Sequence, residues 1–194
     1  MAILYAPFFM LGHGIAIIGD YPRDGFSVPY QLAMYWGSLL VSFTGLWFCR
    51  ANLLRYFEDK LVAVVLIAIL FGTNYFLYAT THPEMPHNYL FTLHSGLIAA
   101  TIRWHEQPGF RTGIVIGLCV GLAALVWLTE IIFVLIPLFW GWNSKKEITL
   151  QLQKLIFHFR KVLSAILIGF SVGAIQIYYW KYITGNFFYQ LLYH

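Results

Sequence analysis

The sequence predicts an all-α fold, a polytopic transmembrane helical bundle with about six to seven membrane segments. Three observations carry that prediction. Composition is the first: 60% of the residues are hydrophobic, 19% aromatic and only 10% charged, where soluble domains carry roughly 25% charge. Mean hydropathy is +0.70. The order of the charges is the second. Of the 12 Lys and Arg residues, all but Arg23 and Lys181 fall within residues 50–60, 103–111 and 145–161, and these stretches alternate with long apolar runs. Basic loops stay in the cytoplasm, so these loops are expected there, in a multi-pass membrane protein. The third is facial pattern: residues 61–79 are apolar on every face, whereas a barrel strand alternates apolar and polar over about ten residues. A barrel is excluded. The net charge of +4 then belongs to loops that meet lipid headgroups, so the expected partner is the lipid bilayer and nucleic acid is not implied.

Residues 2–19 contain Pro7, Gly12, His13 and Gly14, which weaken a straight span and suit a segment lying partly in the interface. A polar turn follows at residues 20–29. Residues 31–49 are expected to cross inward, 61–80 to return outward, 81–86 to form a tight connection with two prolines, and 87–102 to cross inward again. Residues 113–142 would make about 45 Å of helix, too long for one span and short for two. Because basic stretches flank both ends, that segment is expected to be a hairpin with its tip near Thr129 and Glu130. Residues 145–161 read as an amphipathic surface helix, with Ile148, Leu152, Leu155 and Ile156 on one side and Gln151, Lys154 and Lys161 elsewhere. Residues 162–180 then cross outward to Lys181. No repeat or low-complexity tract interrupts the pattern, so residues 1–194 read as a single transmembrane domain. Cys49 and Cys119 give no sign of a structural disulfide, and no signal peptide is evident.

Residues 80–87 pack His82, Glu84 and His87 between Pro83 and Pro86, which are residue types for metal binding and for acid/base work. The spacing is not that of a helical zinc motif, and a solvated, proline-bounded turn explains the same residues. His94 lies two helical turns beyond His87, about 10 Å deeper, with Asn74 at similar depth on the preceding segment. Polar residues at that depth either join helices or line a cavity. Glu130 within hydrocarbon would cost about 3 kcal/mol, a cost that a hairpin tip at the interface avoids. There it is either a cavity-lining contact for a cation, metal or sugar, or a cap for a helix beginning at Ile131. Lys181 is an outer cation, suited to a phosphate or to anchoring the helix by snorkelling.

Several stretches resemble a known family. The run Gly72-Thr73-Asn74-Tyr75-Phe76-Leu77-Tyr78-Ala79, continued by Met85-Pro86-His87-Asn88-Tyr89-Leu90-Phe91, is similar to a pattern of bacterial GT-C class glycosyltransferases, the multi-spanning enzymes related to protein O-mannosyltransferases and aminoarabinose transferases. Residues 117–125, Thr129-Glu130 and Ile136-Pro137-Leu138-Phe139-Trp140-Gly141 resemble a second segment of that family, and Gln176-Ile177-Tyr178-Tyr179-Trp180-Lys181-Tyr182-Ile183-Thr184-Gly185 a third. Two departures stand beside them. Trp127-Leu128 occupies the place of an Arg-Pro pair, and the outer loop that carries the family's catalytic carboxylate precedes an Ala-Pro-Phe-Phe stretch that here is Ala6-Pro7-Phe8-Phe9, close to Met1.

The resemblance implies a partial GT-C-like bundle from a longer enzyme, truncated at both ends and inactive by itself. That enzyme would move a sugar from a polyprenyl-phosphate donor, its lipid-linked substrate, to an acceptor at the outer face of the plasma (inner) membrane. No residue here is implied as catalytic. Glu84, His87 and Lys181 would contact substrate or phosphate, Asn74, His94 and Glu130 would line the cavity, and His82, Glu84 and His87 would hold a divalent metal. The rival expectation is a non-catalytic membrane subunit or scaffold whose polar residues only join helices. A transporter fragment ranks below it, since only one broken segment is present where transporters show matched pairs.

Overall fold

A backbone removed from water must satisfy its own N–H and C=O groups, and a helix does so within one segment. The computed structural model describes residues 1–186, and among them all regular structure is helical and no strand occurs. The elements are α1 (Ala2–Ile18), α2 (Val28–Leu53), α3 (Asp59–Gly72), α4 (Tyr75–Thr80), α5 (His87–Glu106), α6 (Phe110–Val126), a 3-10 helix (Leu128–Val134), α7 (Leu135–Phe139), α8 (Lys145–Phe157) and α9 (Phe159–Thr184).

Among the described residues two helices, α2 and α9, are long and apolar enough to cross a membrane, fewer than the six to seven segments expected. The difference lies in where helices break. The expected crossing at residues 61–80 divides at Thr73, whose hydroxyl donates to the Ile69 carbonyl at 2.6 Å and accepts from the Tyr75 N–H at 3.1 Å. Local side-chain bonds of this kind compete with the helical ladder, and Gly72 just before adds no resistance. Within residues 2–19, Ala2–Ile18 form the helix α1 with Pro7 inside it, apolar but shorter than the two candidate spans.

The contacts fall into two units, Met1–Gly96 and Leu97–His194, with the boundary inside α5. In the first, α1 and α2 run antiparallel at close range. A Cβ on Gly12 would meet Tyr30 Cα at 2.9 Å, and one on Gly37 would strike the Phe8 ring. The turn between them is held by Asp24, whose Oδ1 accepts from the N–H groups of Phe26 and Ser27 at 2.8 Å each, just ahead of α2. Those two bonds hold the carboxyl below its usual range.

In the second unit α6 and α9 meet along glycines. Gly113, Gly117 and Gly121, one turn apart on α6, each face backbone carbonyls of α9, at Lys161, Ala165 and Gly169. Small residues at this spacing let two backbones approach without a side chain between them. After Trp127 the chain turns back. Its return is drawn out as the 3-10 helix, which rises about 2.0 Å per residue against 1.5 Å for α-helix, so few residues retrace most of the length of α6. By Pro137 it is level with the end of α5, where His105 Nε2 lies 3.0 Å from the Pro137 carbonyl. The hairpin expected over residues 113–142 is thus present in outline, with its turn at Trp127 and a shorter second arm.

Two outcomes follow from this packing. Gly117→Leu should destabilise the second unit by about 2 kcal/mol, as overpacking does, while Gly173→Ala, whose Cβ meets nothing within 4 Å, should be neutral or stabilising, read by unfolding of the purified chain in detergent. Because the folded pKa of Asp24 is lowered, its stabilisation of the first turn of α2 is complete above the unfolded value near 4. It should fall away as pH drops through the folded one, seen as faster exchange of the Phe26 and Ser27 amides that Asp24→Ala shows at every pH.

Candidate functional site

The close contact of α6 and α9 leaves the 3-10 helix and α7 standing off from α9, and a cavity of about 510 Å³ opens between them. That lies within the roughly 300–1,000 Å³ of small-molecule sites. Glycines 113, 117 and 121 lie along it, Ile131, Pro137 and Leu138 form one wall, and Phe170 and Ile177 belong to α9 opposite. From Val162 to Trp180 it follows α9 for about 27 Å at 1.5 Å per residue, close to the thickness of a bilayer's hydrocarbon core. Gln176, half-buried beside Trp180, is the polar side chain on its wall. The shape is a long apolar groove, suited to a hydrocarbon chain with a polar group at the Gln176 end.

The residues expected to carry chemistry lie in both units. In the first, His82 Nδ1 and Glu84 Oε1 are 3.1 Å apart, both exposed enough that the pair is worth little in stability. Tyr5 of α1 donates to the Glu84 carbonyl at 2.6 Å, which fixes the loop. The exposed His87 stacks its ring on Tyr78 with centroids 4.5 Å apart and planes at 27°. Among the described residues no three His, Cys, Asp or Glu side chains converge, so His82 and Glu84 are brought together and His87 does not complete a metal site with them. Asn74 is exposed at the break between α3 and α4, whereas His94 is half-buried on α5.

In the second unit Glu130 is half-buried in the first turn of the 3-10 helix, so it lies inside that element and does not cap a helix starting at Ile131. Lys181 lies in the last turn of α9 and donates to the Gly185 carbonyl at 2.7 Å, where Gly185 closes the helix at φ 74°. This is a helix-ending contact available to a terminal lysine.

A further set of polar residues escapes sequence reasoning. Asn88 and Ser38 are 0% exposed, and Asn88 Nδ2 donates to Ser38 Oγ at 2.7 Å and to Ser42 Oγ at 3.1 Å. Thr92 Oγ1 donates to the Val41 carbonyl at 2.8 Å, and the Tyr75 hydroxyl to the Ser42 carbonyl at 2.9 Å. The detectable signal is a matched spacing: Ser38, Ser42 and Gly45 on α2, and Asn88, Thr92 and Ser95 on α5, each recur at i, i+4 and i+7. Gly45 is required there, since a Cβ would collide with Thr92 Oγ1.

Compared with protein-family models, with characterised proteins and with solved structures, the chain matches none.

Removing Asn88 tests the seam. Interhelical hydrogen bonds in apolar surroundings are worth about 0.6–1.7 kcal/mol each, so Asn88→Ala should cost the first unit about 1–2 kcal/mol and speed amide exchange in α2. An unchanged exchange rate would mean that these bonds contribute nothing net.

Proposed function

We propose that this chain is part of an integral membrane glycosyltransferase that moves a sugar from a polyprenyl-phosphate donor to an acceptor at the outer face of the inner membrane. The single observation that carries the reading is the groove along α9, apolar for nearly a hydrocarbon thickness and ending at Gln176 and Trp180. That end belongs to one of the segments that resemble GT-C enzymes. In this reading the polyprenyl chain lies in the groove, entering sideways from the bilayer, and Lys181 meets the phosphate. Residues 50–60, 103–111 and 145–161 face the cytoplasm, and the shorter apolar helices complete a multi-pass bundle.

The chemistry requires a base to take the proton of the acceptor hydroxyl, whose oxygen attacks the anomeric carbon. The bond from that carbon to the phosphate oxygen breaks, and polyprenyl phosphate leaves. The resemblance assigns the base to no residue of this chain. Glu84 and His87 would contact substrate, and Asn74, His94 and Glu130 would line its path. Because His82, Glu84 and His87 do not converge on one point, no step is assigned to a metal.

A second reading, a non-catalytic membrane scaffold, is favoured by one observation: the polar atoms of Ser38, Ser42, Asn88 and Thr92 are spent on joining helices. Binding separates the two. Polyprenyl phosphate added to the full chain in detergent should be retained in native mass spectrometry and resist displacement by excess diacyl phospholipid. Gly173→Trp, which fills the groove where a Cβ has open space, should weaken that binding at least about tenfold. Absence of binding, or binding that the substitution leaves unchanged, favours the scaffold.

A further inference from the structure

The helix α8 is amphipathic in sequence, yet much of its apolar surface stays uncovered. Of the apolar side chains, Leu155 packs against the core cluster of Leu97, Trp104 and Ile116, and Ile148 is half-buried. Ile156 is 75% exposed, Phe157 85%, and Phe159 across the bend at His158 is exposed as well. Of the apolar set Ile148, Leu152, Leu155 and Ile156 expected on one side of a surface helix, Leu152 and Ile156 are exposed and Ile148 and Leu155 half-buried.

The helix is nevertheless well formed and well held. Ser144 Oγ accepts from the Glu147 N–H at 3.3 Å as an N-terminal cap. Gln151 Oε1 lies 3.0 Å from His105 Nδ1 and Lys154 donates to the His105 carbonyl, while Lys161, at the start of α9, donates to the Pro108 carbonyl at 2.8 Å. Lys154 and Lys161 are thus occupied within the fold. Lys145, Lys146 and Arg160 are exposed and, among the described residues, their side chains make no hydrogen bond or ion pair. Glu147 is the one carboxylate between residues 131 and 186, so the charge here is strongly one-signed.

We propose that α8 and the α8–α9 bend form a docking surface for an anionic phospholipid bilayer, with Ile156, Phe157 and Phe159 inserted at the acyl boundary and Lys145, Lys146 and Arg160 on lipid phosphates. Uncovered aromatic and aliphatic side chains beside unpaired cations are the two components of interfacial binding, one contributing buried area and the other attraction to anionic headgroups. Charge complementarity selects the partner, since a neutral lipid surface or a second copy of this basic surface gives those cations nothing to neutralise. His158, at the bend, is held below the usual imidazole range first by partial burial and then by Lys161 and Lys154. The surface extends from the foot of α9, so it holds that helix at a defined depth. This inference rests on the membrane placement proposed above and not on sugar transfer.

The test is hydrogen exchange on the full chain in nanodiscs of phosphatidylcholine, with and without phosphatidylglycerol. Amides within residues 148–157 should exchange at least about tenfold more slowly in the anionic bilayer, and 1 M salt, where the Debye length is about 3 Å, should remove most of that difference. The triple variant Lys145→Gln, Lys146→Gln, Arg160→Gln should lose the lipid-charge dependence, and Phe157→Ser should lower protection in both bilayers. Equal exchange in the two bilayers overturns the proposal. Fast exchange along α9 in both would overturn the membrane placement itself, and the proposal with it. Should the triple variant fold poorly, the salt titration of the unmodified chain reads the same interaction.

Discussion

The close approach of α6 and α9 governs the second unit. At Gly113, Gly117 and Gly121 one helix rests directly on carbonyls of the other, and a Cβ at any of these positions would need the space that backbone already fills. No hydrophobic driving force is required for such a contact. It relies on dispersion between closely packed backbones, which remains available where lipid is the solvent. The rest follows from that distance. With α6 and α9 drawn together, the returning arm lies over α6 and leaves the groove open beside α9.

The return arm shows how backbone geometry substitutes for chain length. Had residues 128–139 been a regular α-helix they would have risen about 18 Å; the 3-10 stretch extends this enough for Pro137 to reach His105. That junction is the meeting point of five chain segments. The end of α5, the turn before α6, α7, α8 and the start of α9 are tied there by His105, Lys154 and Lys161, mostly through bonds to backbone carbonyls. Cations at helix ends and turns can satisfy carbonyls that have no helical partner. The basic residues of 145–161 therefore divide into Lys154 and Lys161, which tie the junction, and Lys145, Lys146 and Arg160, left on the surface of α8 and the start of α9.

The first unit solves the same problem with polar atoms. Ser42, Thr44, Thr73 and Thr80 all return their hydroxyls to a carbonyl four residues earlier, so they can sit in an apolar helix without an unsatisfied proton. Asn88 cannot do so; its amide N–H groups are taken up by Ser38 and Ser42 across the interface, while its Oδ1 has no partner among the described residues. A single buried amide thereby sets which faces of α2 and α5 meet. Large apolar residues such as Trp36, Phe43 and Trp47 remain exposed on the other face of α2, a patch of the kind that meets a membrane or another protein surface.

Sequence alone determined the all-α class, the positions of α2, α5, α8 and α9 to within a few residues, and the turn in residues 113–142, because hydrophobicity and charge order act locally and are read directly. The spacing of Gly113, Gly117 and Gly121 and the matched Ser and Asn periods were also legible, although their partner helices were not. Tertiary structure decided what spacing cannot encode: that the 61–80 segment breaks at Thr73, that His82 pairs with Glu84 while His87 turns to Tyr78, and that a groove opens along α9. Each of these depends on which surfaces meet in space. A side chain has no knowledge of its neighbour across a helix interface until the backbones are close enough for a hydroxyl, a ring or a missing Cβ to matter.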